Sequence, residues 1–155
     1  MSMGKTSGVE ILRLDLETSP EGISYFPDIQ SDKTKIVTYP PGSMDSLYVH
    51  RNQTDYIKVV RGRLTWVILF DGKYQYIPLS AQDPFLVKVP PKIAHTGINP
   101  YDDTCVIVIA IVRHTPLKPV DYKPIAPPFP YDIKQALSSQ IPVELVDSYP
   151  LELTQ

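Results

Sequence analysis

Between residues 35 and 113, short runs of Val, Ile, Leu, Tyr, Thr and Trp recur at nearly even intervals, separated by glycine, proline, asparagine and aspartate. Such punctuation predicts the strands of an all-β sandwich or barrel. The runs are KIVTY (35–39), SLYVH (46–50), YIKVV (56–60), LTWVILF (64–70), YQYIPL (74–79), FLVKVP (85–90) and CVIVIAIV (105–112). Asp71-Gly72, between the fourth and fifth runs, readily takes the positive φ angles of a two-residue hairpin turn, so those strands should be joined tightly. INPYDD (98–103) predicts a second loop, because Pro100 interrupts the strand and Asp102 and Asp103 can bond nearby amides. LYVH and YIKVV alternate and should turn one face to a core, with the polar run HRNQTD as the turn between them. LTWVILF and CVIVIAIV are apolar on both faces, which predicts cover on both sides, by the core and by an arm or a partner subunit. One short helix is predicted, where Asp132 caps IKQALSS and Gln135, three residues on, completes a capping-box pattern.

Composition sharpens this outline. The 155 residues suit one domain, and the 17 prolines, against 7 glycines, gather at 40–41, 90–91 and 116–130. Proline lacks a backbone donor, so these clusters mark corners and an extended arm beginning at Thr115, TPLKPVDYKPIAPPFPYD. The expected organisation is an N-terminal extension with an edge strand (1–34), a barrel (35–114) and a C-terminal arm with the short helix (115–155). The formal net charge is −2 and lysines and arginines are scattered, so no nucleic-acid partner is expected. CVIVIAIV falls far short of the roughly 20 apolar residues that cross a bilayer. MSMGKTSGVE lacks the basic-then-apolar layout of a signal peptide, and a cytoplasmic protein without membrane partners is expected. The single Cys105 lies in an apolar run and should behave as a small hydrophobe.

The polar run acquires a meaning from its spacing. Gly42, five residues, Tyr48, one residue, His50, four residues, Asp55, six residues and Gly62 resemble the first motif of the cupins, G-x5-H-x-H-x3,4-E-x6-G. Tyr48 stands where the first histidine belongs, and Asp55 replaces the glutamate. The second cupin motif, G-x5-P-x-G-x2-H-x3-N, is similar to PFLVKVPPKIAHTGIN, which keeps Pro90, His95 and Asn99 and places Pro84 and Lys92 at the glycine positions. Over residues 35–113 the chain therefore resembles the cupin superfamily. The resemblance implies a single-domain jelly-roll barrel with these side chains converging in its mouth. Independently, Tyr48 and His50 are two apart on a strand and so share a face.

In cupins the site holds a metal through three histidines and a glutamate. Carried over, that implies His50, Asp55 and His95 as ligands, with one imidazole lost to Tyr48, a poor ligand until its phenol, of reference pKa about 10, is deprotonated. Two histidines and a carboxylate can hold one divalent transition metal (Fe, Mn, Zn or Ni). The alternative is a pocket of hydrogen-bonded residues with no cofactor.

Within the cupins, the chain is most similar to the sugar-nucleotide branch. The dTDP-4-dehydrorhamnose 3,5-epimerases carry "H…VVRG" and a "PPGFAHGF"-like segment, as in PPKIAHTGI here. The dTDP-4-keto-6-deoxyhexose 3,4-ketoisomerases carry "HAHKN", which resembles YVHRN at 48–52. Either resemblance implies proton abstraction beside a ketone, with His50 as base and Tyr48 as a candidate acid. The epimerases' tyrosine acid has no counterpart in CVIVIAIV, Tyr101 being displaced into the loop before it, and their lysine position is Asp55, with Lys58 close by. Candidate substrate-binding residues are Arg51, Lys58, Tyr74, Tyr76 and Asn99. Trp66 is expected in the core, and Arg61, Arg63 and His114 at the surface. Three readings stay open: an isomerase- or epimerase-like enzyme on a keto-sugar or nucleotide-linked sugar, a metal-dependent cupin, and a non-catalytic cupin binding a small carbohydrate. A homodimer is expected.

Overall fold

The computed structural model describes residues 6–13, 17–26, 29–115 and 122–147. In chain order the strands are β1 (Glu10–Arg13), β2 (Glu17–Ser19), β3 (Gly22–Ser24), β4 (Lys33–Tyr39), β5 (Leu47–His50), β6 (Gln53–Arg61), β7 (Arg63–Phe70), β8 (Lys73–Ser80), β9 (Phe85–Val89), β10 (Ala94–Ile98), β11 (Cys105–Arg113) and β12 (Tyr122–Ile125). A helix, α1 (Ile133–Ser138), and a single 3₁₀ turn at Val143–Leu145 follow. Two five-stranded antiparallel sheets, ordered β1-β9-β6-β11-β4 and β12-β5-β10-β7-β8, pack as a jelly roll, and β2 and β3 pair separately. Within the described residues no helix is long and apolar enough to cross a membrane.

Strand alternation builds the core. Ile57 and Val59 of β6, Val87 and Val89 of β9 and Ile107 of β11 face Leu64, Trp66 and Ile68 of β7 and Ile77 and Leu79 of β8 in one buried cluster. Each fully buried aliphatic side chain here contributes roughly 1.5–3 kcal/mol. The predicted double cover of β7 is real. Its outward Val67 joins Tyr76 and Ile98 beneath Ala136 of α1. On β11, Cys105 and Ile107 are buried inward, whereas Val106 and Val108 are half-buried on the outside, beside an Ile36 that is 75 % exposed.

Local signals map onto local structure with instructive exceptions. Asp71 (φ 54°) and Gly72 (φ 75°) make the two-residue turn between β7 and β8. Asp132 Oδ1 accepts from the Gln135 amide at 3.0 Å, while the other half of the expected capping box comes from tertiary structure: the Asp132 amide donates to the Tyr76 hydroxyl at 2.8 Å. The turn after β5 is only Arg51-Asn52. Gln53, Thr54 and Asp55, although polar, belong to β6 and are buried. β10, absent from the predicted runs because His95, Thr96 and Gly97 read as polar or breaking, is buried throughout between β5 and β7. In the proline-rich arm, Tyr122–Ile125 forms β12 at the edge of β5, and the stretch 116–121 lies outside the described residues.

The two motif segments clasp each other through the backbone. The Gly42 amide donates to the Asn99 carbonyl at 2.7 Å, the Asn99 amide to the Ser43 carbonyl at 2.9 Å, and the Lys92 amide to the His50 carbonyl at 2.6 Å. Gly62, at φ +76°, turns β6 into β7 so closely that a Cβ there would lie 2.6 Å from the Thr104 carbonyl oxygen. Gly62→Ala should therefore lower stability by about 2 kcal/mol or more, read as a lower urea midpoint, since left-handed strain and a backbone clash act together.

Candidate functional site

β5 and β10 are neighbours in the second sheet, and their register sets His95 opposite Tyr48. Tyr48 and His50, two apart on β5, both turn inward, so two imidazoles meet on one inner face, with ring centroids 5.6 Å apart. From the facing sheet, β6 presents Asp55, in register with the buried Ile111 and Val89. Its Oδ2 lies 3.4 Å from His50 Nε2 and 3.6 Å from His95 Nε2, and Oδ1 accepts from Gln53 Nε2 at 2.7 Å. These three side chains can each turn one ligand atom to a common point, with all three atoms within 4.8 Å of one another.

The proton count in this cluster is constrained. His95 Nδ1 lies 2.8 Å from the Ile93 carbonyl oxygen, which can only accept, so Nδ1 carries a proton and donates it. A neutral His95 would then turn the lone pair of Nε2 toward the Asp55 carboxylate, acceptor against acceptor. The arrangement is favourable only with a positive charge in it, either a second proton on His95 or a metal ion between the ligand atoms. Burial would raise the Asp55 pKa, but hydrogen bonds from His50 and His95 and their charge more than offset that and hold the carboxyl well below the usual carboxylate range. Two imidazoles and one carboxylate beside an open cavity fit iron, manganese, zinc or nickel.

The cluster lines a cavity of about 350 Å³ between the sheets. Tyr48 lines it, as do two residues without a motif signal, Tyr39 and Lys35 of β4. Both follow from register: Lys35 and Tyr39 pair with Ile109 and Cys105, on the inward side of β11. Burial, and then the charge of Asp45, push the Tyr39 phenol well above its ordinary value, so it remains a neutral donor. Alternation along KIVTY could have revealed both residues. Trp66 is a core residue as expected, yet it also lines the cavity, with its ring centroid 5.6 Å from that of His95. Its indole Nε1 has no acceptor among the described residues.

The remaining candidates lie elsewhere. Lys58 is out of phase with inward Ile57 and Val59. It is 1 % exposed, and its ammonium donates to the Asp83 carbonyl at 2.9 Å and sits 3.4 Å from the Asp83 carboxylate, so it anchors the β8–β9 loop rather than a ligand. Tyr74 and Tyr76 face outward from β8. The Tyr74 ring packs at a tilt against Phe129 and Tyr131, with centroids 4.4 and 5.0 Å away, apart from the cavity. Asn99 is wholly buried and ties loops together, donating to the Tyr39 and Asp103 carbonyls at 3.0 and 2.8 Å; it acts on the site only by fixing Tyr39. Arg51 is exposed on the turn after His50 and does not line the cavity. Among the surface residues, Arg63 lies 4.2 Å over the Tyr101 ring, and His114 Nε2 is 2.7 Å from Thr54 Oγ1.

Because the Asp55 pKa is lower folded than unfolded, where it is about 3.9, its contribution to stability is present above that value and lost as pH falls. The melting temperature of the wild type should thus drop more steeply than that of Asp55→Asn between pH 5 and 2. Parallel curves in a fluorescence melting series would contradict this.

No protein-family model matches the chain, and no curated protein matches it in sequence. Solved structures do match. A dTDP sugar isomerase from Desulfovibrio desulfuricans superposes with a TM-score of 0.65 at 13 % identity, over 82 % of this chain and 91 % of that one. The dTDP-4-dehydrorhamnose 3,5-epimerase of Sulfolobus tokodaii gives 0.62 at 15 %, over 98 % and 91 %. A mutant of the 3,4-ketoisomerase QdtA from Thermoanaerobacterium thermosaccharolyticum, in complex with TDP-4-keto-6-deoxyglucose, gives 0.60 at 11 %, over 77 % and 88 %. The chain shares the jelly-roll fold of these isomerases and epimerases.

Proposed function

We propose that the protein is an isomerase- or epimerase-like enzyme that moves a proton at a carbon next to the ketone of a keto-sugar, free or nucleotide-linked. The observation that carries this reading is the buried Asp55 carboxylate facing two imidazoles in the wall of a cavity of mixed polar and apolar lining. His50 takes the proton from carbon, and Asp55, 3.4 Å from its Nε2, stabilises the imidazolium that results. The electron pair moves onto the ketone oxygen, where the hydroxyl of Tyr48 or Tyr39 donates to the developing enolate. Return of a proton to the opposite face of the same carbon gives an epimer. Protonation of the former ketone carbon instead gives an isomer: the former ketone oxygen keeps the tyrosine's proton, and the hydroxyl on the deprotonated carbon gives its own proton back to the tyrosinate and becomes the new ketone. Support also comes from the solved neighbours, one of which holds a 4-keto sugar nucleotide.

A second reading, a metal-dependent cupin, is favoured by one observation: the Nδ1 donation of His95 leaves its Nε2 lone pair aimed at the Asp55 carboxylate. His50, Asp55 and His95 would hold the ion, which would polarise a carbonyl as a Lewis acid. A homodimer belongs to the proposal as well, formed through the outer face of β4 and β11 around Ile36, Val106 and Val108; sedimentation as a strict monomer at micromolar concentration would count against it.

The acid–base reading predicts deuterium uptake next to the ketone when keto-sugars are incubated with the protein in D₂O and followed by NMR. His50→Asn should slow that exchange by about 10²–10⁴-fold, and Tyr39→Phe and Tyr48→Phe should show which hydroxyl serves as acid. Elemental analysis separates the second reading: one equivalent of metal in purified protein, absent from His95→Ala, would establish it.

A further inference from the structure

Resting on the keto-sugar reading above, we infer that the substrate is a free sugar of single-ring size rather than one carried on a nucleotide diphosphate. Size is the first ground. The cavity of about 350 Å³ lies near the bottom of the ~300–1,000 Å³ range of small-molecule pockets and suits one ring with its substituents.

Charge is the second ground. Besides Asp55, which His50 and His95 compensate, the cavity is lined by one exposed carboxylate, Asp45, and by one permanently charged cation among the described lining residues, Lys35; no guanidinium is among them. Diphosphate oxygens only accept hydrogen bonds, so their sites gather guanidinium forks and ammonium groups. A diphosphate placed here would meet Asp45 as a like charge, while the Asp55 charge is already answered by His50 and His95. No described arginine lines the cavity; Arg63 lies on Tyr101, and Arg61 borders a separate hollow with Asp102 and Asp103.

Chemistry of the lining is the third ground. A sugar hydroxyl both donates and accepts, and the walls mix acceptors with donors in the same way: carboxylates at Asp45 and Asp55, an amide at Gln53, hydroxyls at Tyr39 and Tyr48. Trp66 adds an apolar ring face for sugar C–H groups, and an indole N–H whose acceptor is not supplied by the described protein. That combination recognises a polyhydroxylated ring at close range.

The test compares two kinds of probe on the full chain. Free ketohexoses and ketopentoses are assayed for deuterium exchange and for saturable binding by saturation-transfer NMR, and thymidine diphosphate and a thymidine-diphosphate-linked 4-keto sugar are assayed by calorimetry and exchange. The expected result is binding and exchange with at least one free ketose, and no thymidine diphosphate binding tighter than millimolar. In Asp45→Lys, thymidine diphosphate binding should strengthen at least tenfold as the like charge is replaced. A dissociation constant for thymidine diphosphate below about 100 µM, or exchange confined to the nucleotide-linked sugar, would overturn the inference and leave the isomerase reading standing. Saturable ketose binding without exchange on any probe would overturn the isomerase reading and leave the size and charge inference standing. Absence of ketose binding altogether would overturn the inference.

Discussion

A buried carboxylate between two imidazoles is the constraint on which the site depends. Asp55 lies out of solvent on β6, where an unpaired negative charge would be costly, and Gln53, His50 and His95 are the groups that compensate it. They come from both sheets, so the cluster forms only when the sheets are packed face to face. It thereby links the packing of the two sheets to the charge state of this cluster.

The fold supplies that geometry through strands rather than loops. β5 and β10 bring the histidines side by side, and β6 brings the acid across the core. Backbone hydrogen bonds between Gly42 and Asn99, and between Lys92 and His50, lock the two motif segments to each other, while Asn99 reaches on to the Tyr39 carbonyl. Lys92 is informative here. It stands where the cupin motif has glycine, yet it holds the left-handed conformation at φ 72°, so the backbone demand of the motif survives a residue that meets it at some cost in strain.

Much of this was legible in the chain. The Asp-Gly turn, the N-cap of α1 and the strands with strong alternation depend on neighbours in sequence, and they appear where local chemistry places them. The convergence of His50, Asp55 and His95 was legible through motif spacing, since two-residue periodicity and fixed turn lengths transmit position along strands. Lys58 and Tyr74 lie apart from the cavity for a common reason. Residue type suggests a ligand contact, but strand phase decides which face a side chain joins, and both are turned away from the cavity. β10 was missed because a strand buried between two neighbours need not look apolar when one of its side chains belongs to a polar cluster.

By itself, then, the sequence determined an all-β chain with a cupin-like pair of motifs, because hydrophobic alternation, turn residues and motif spacing are properties of consecutive positions. Tertiary structure alone decided the rest. It set Tyr39 and Lys35 into the cavity through the register of β4 against β11, buried Trp66 with its face on the same space, and assigned Asn99 and Lys58 to structural work. Those outcomes depend on which strands pair and in what register, and that is settled by long-range packing of the two sheets rather than by any residue's near neighbours.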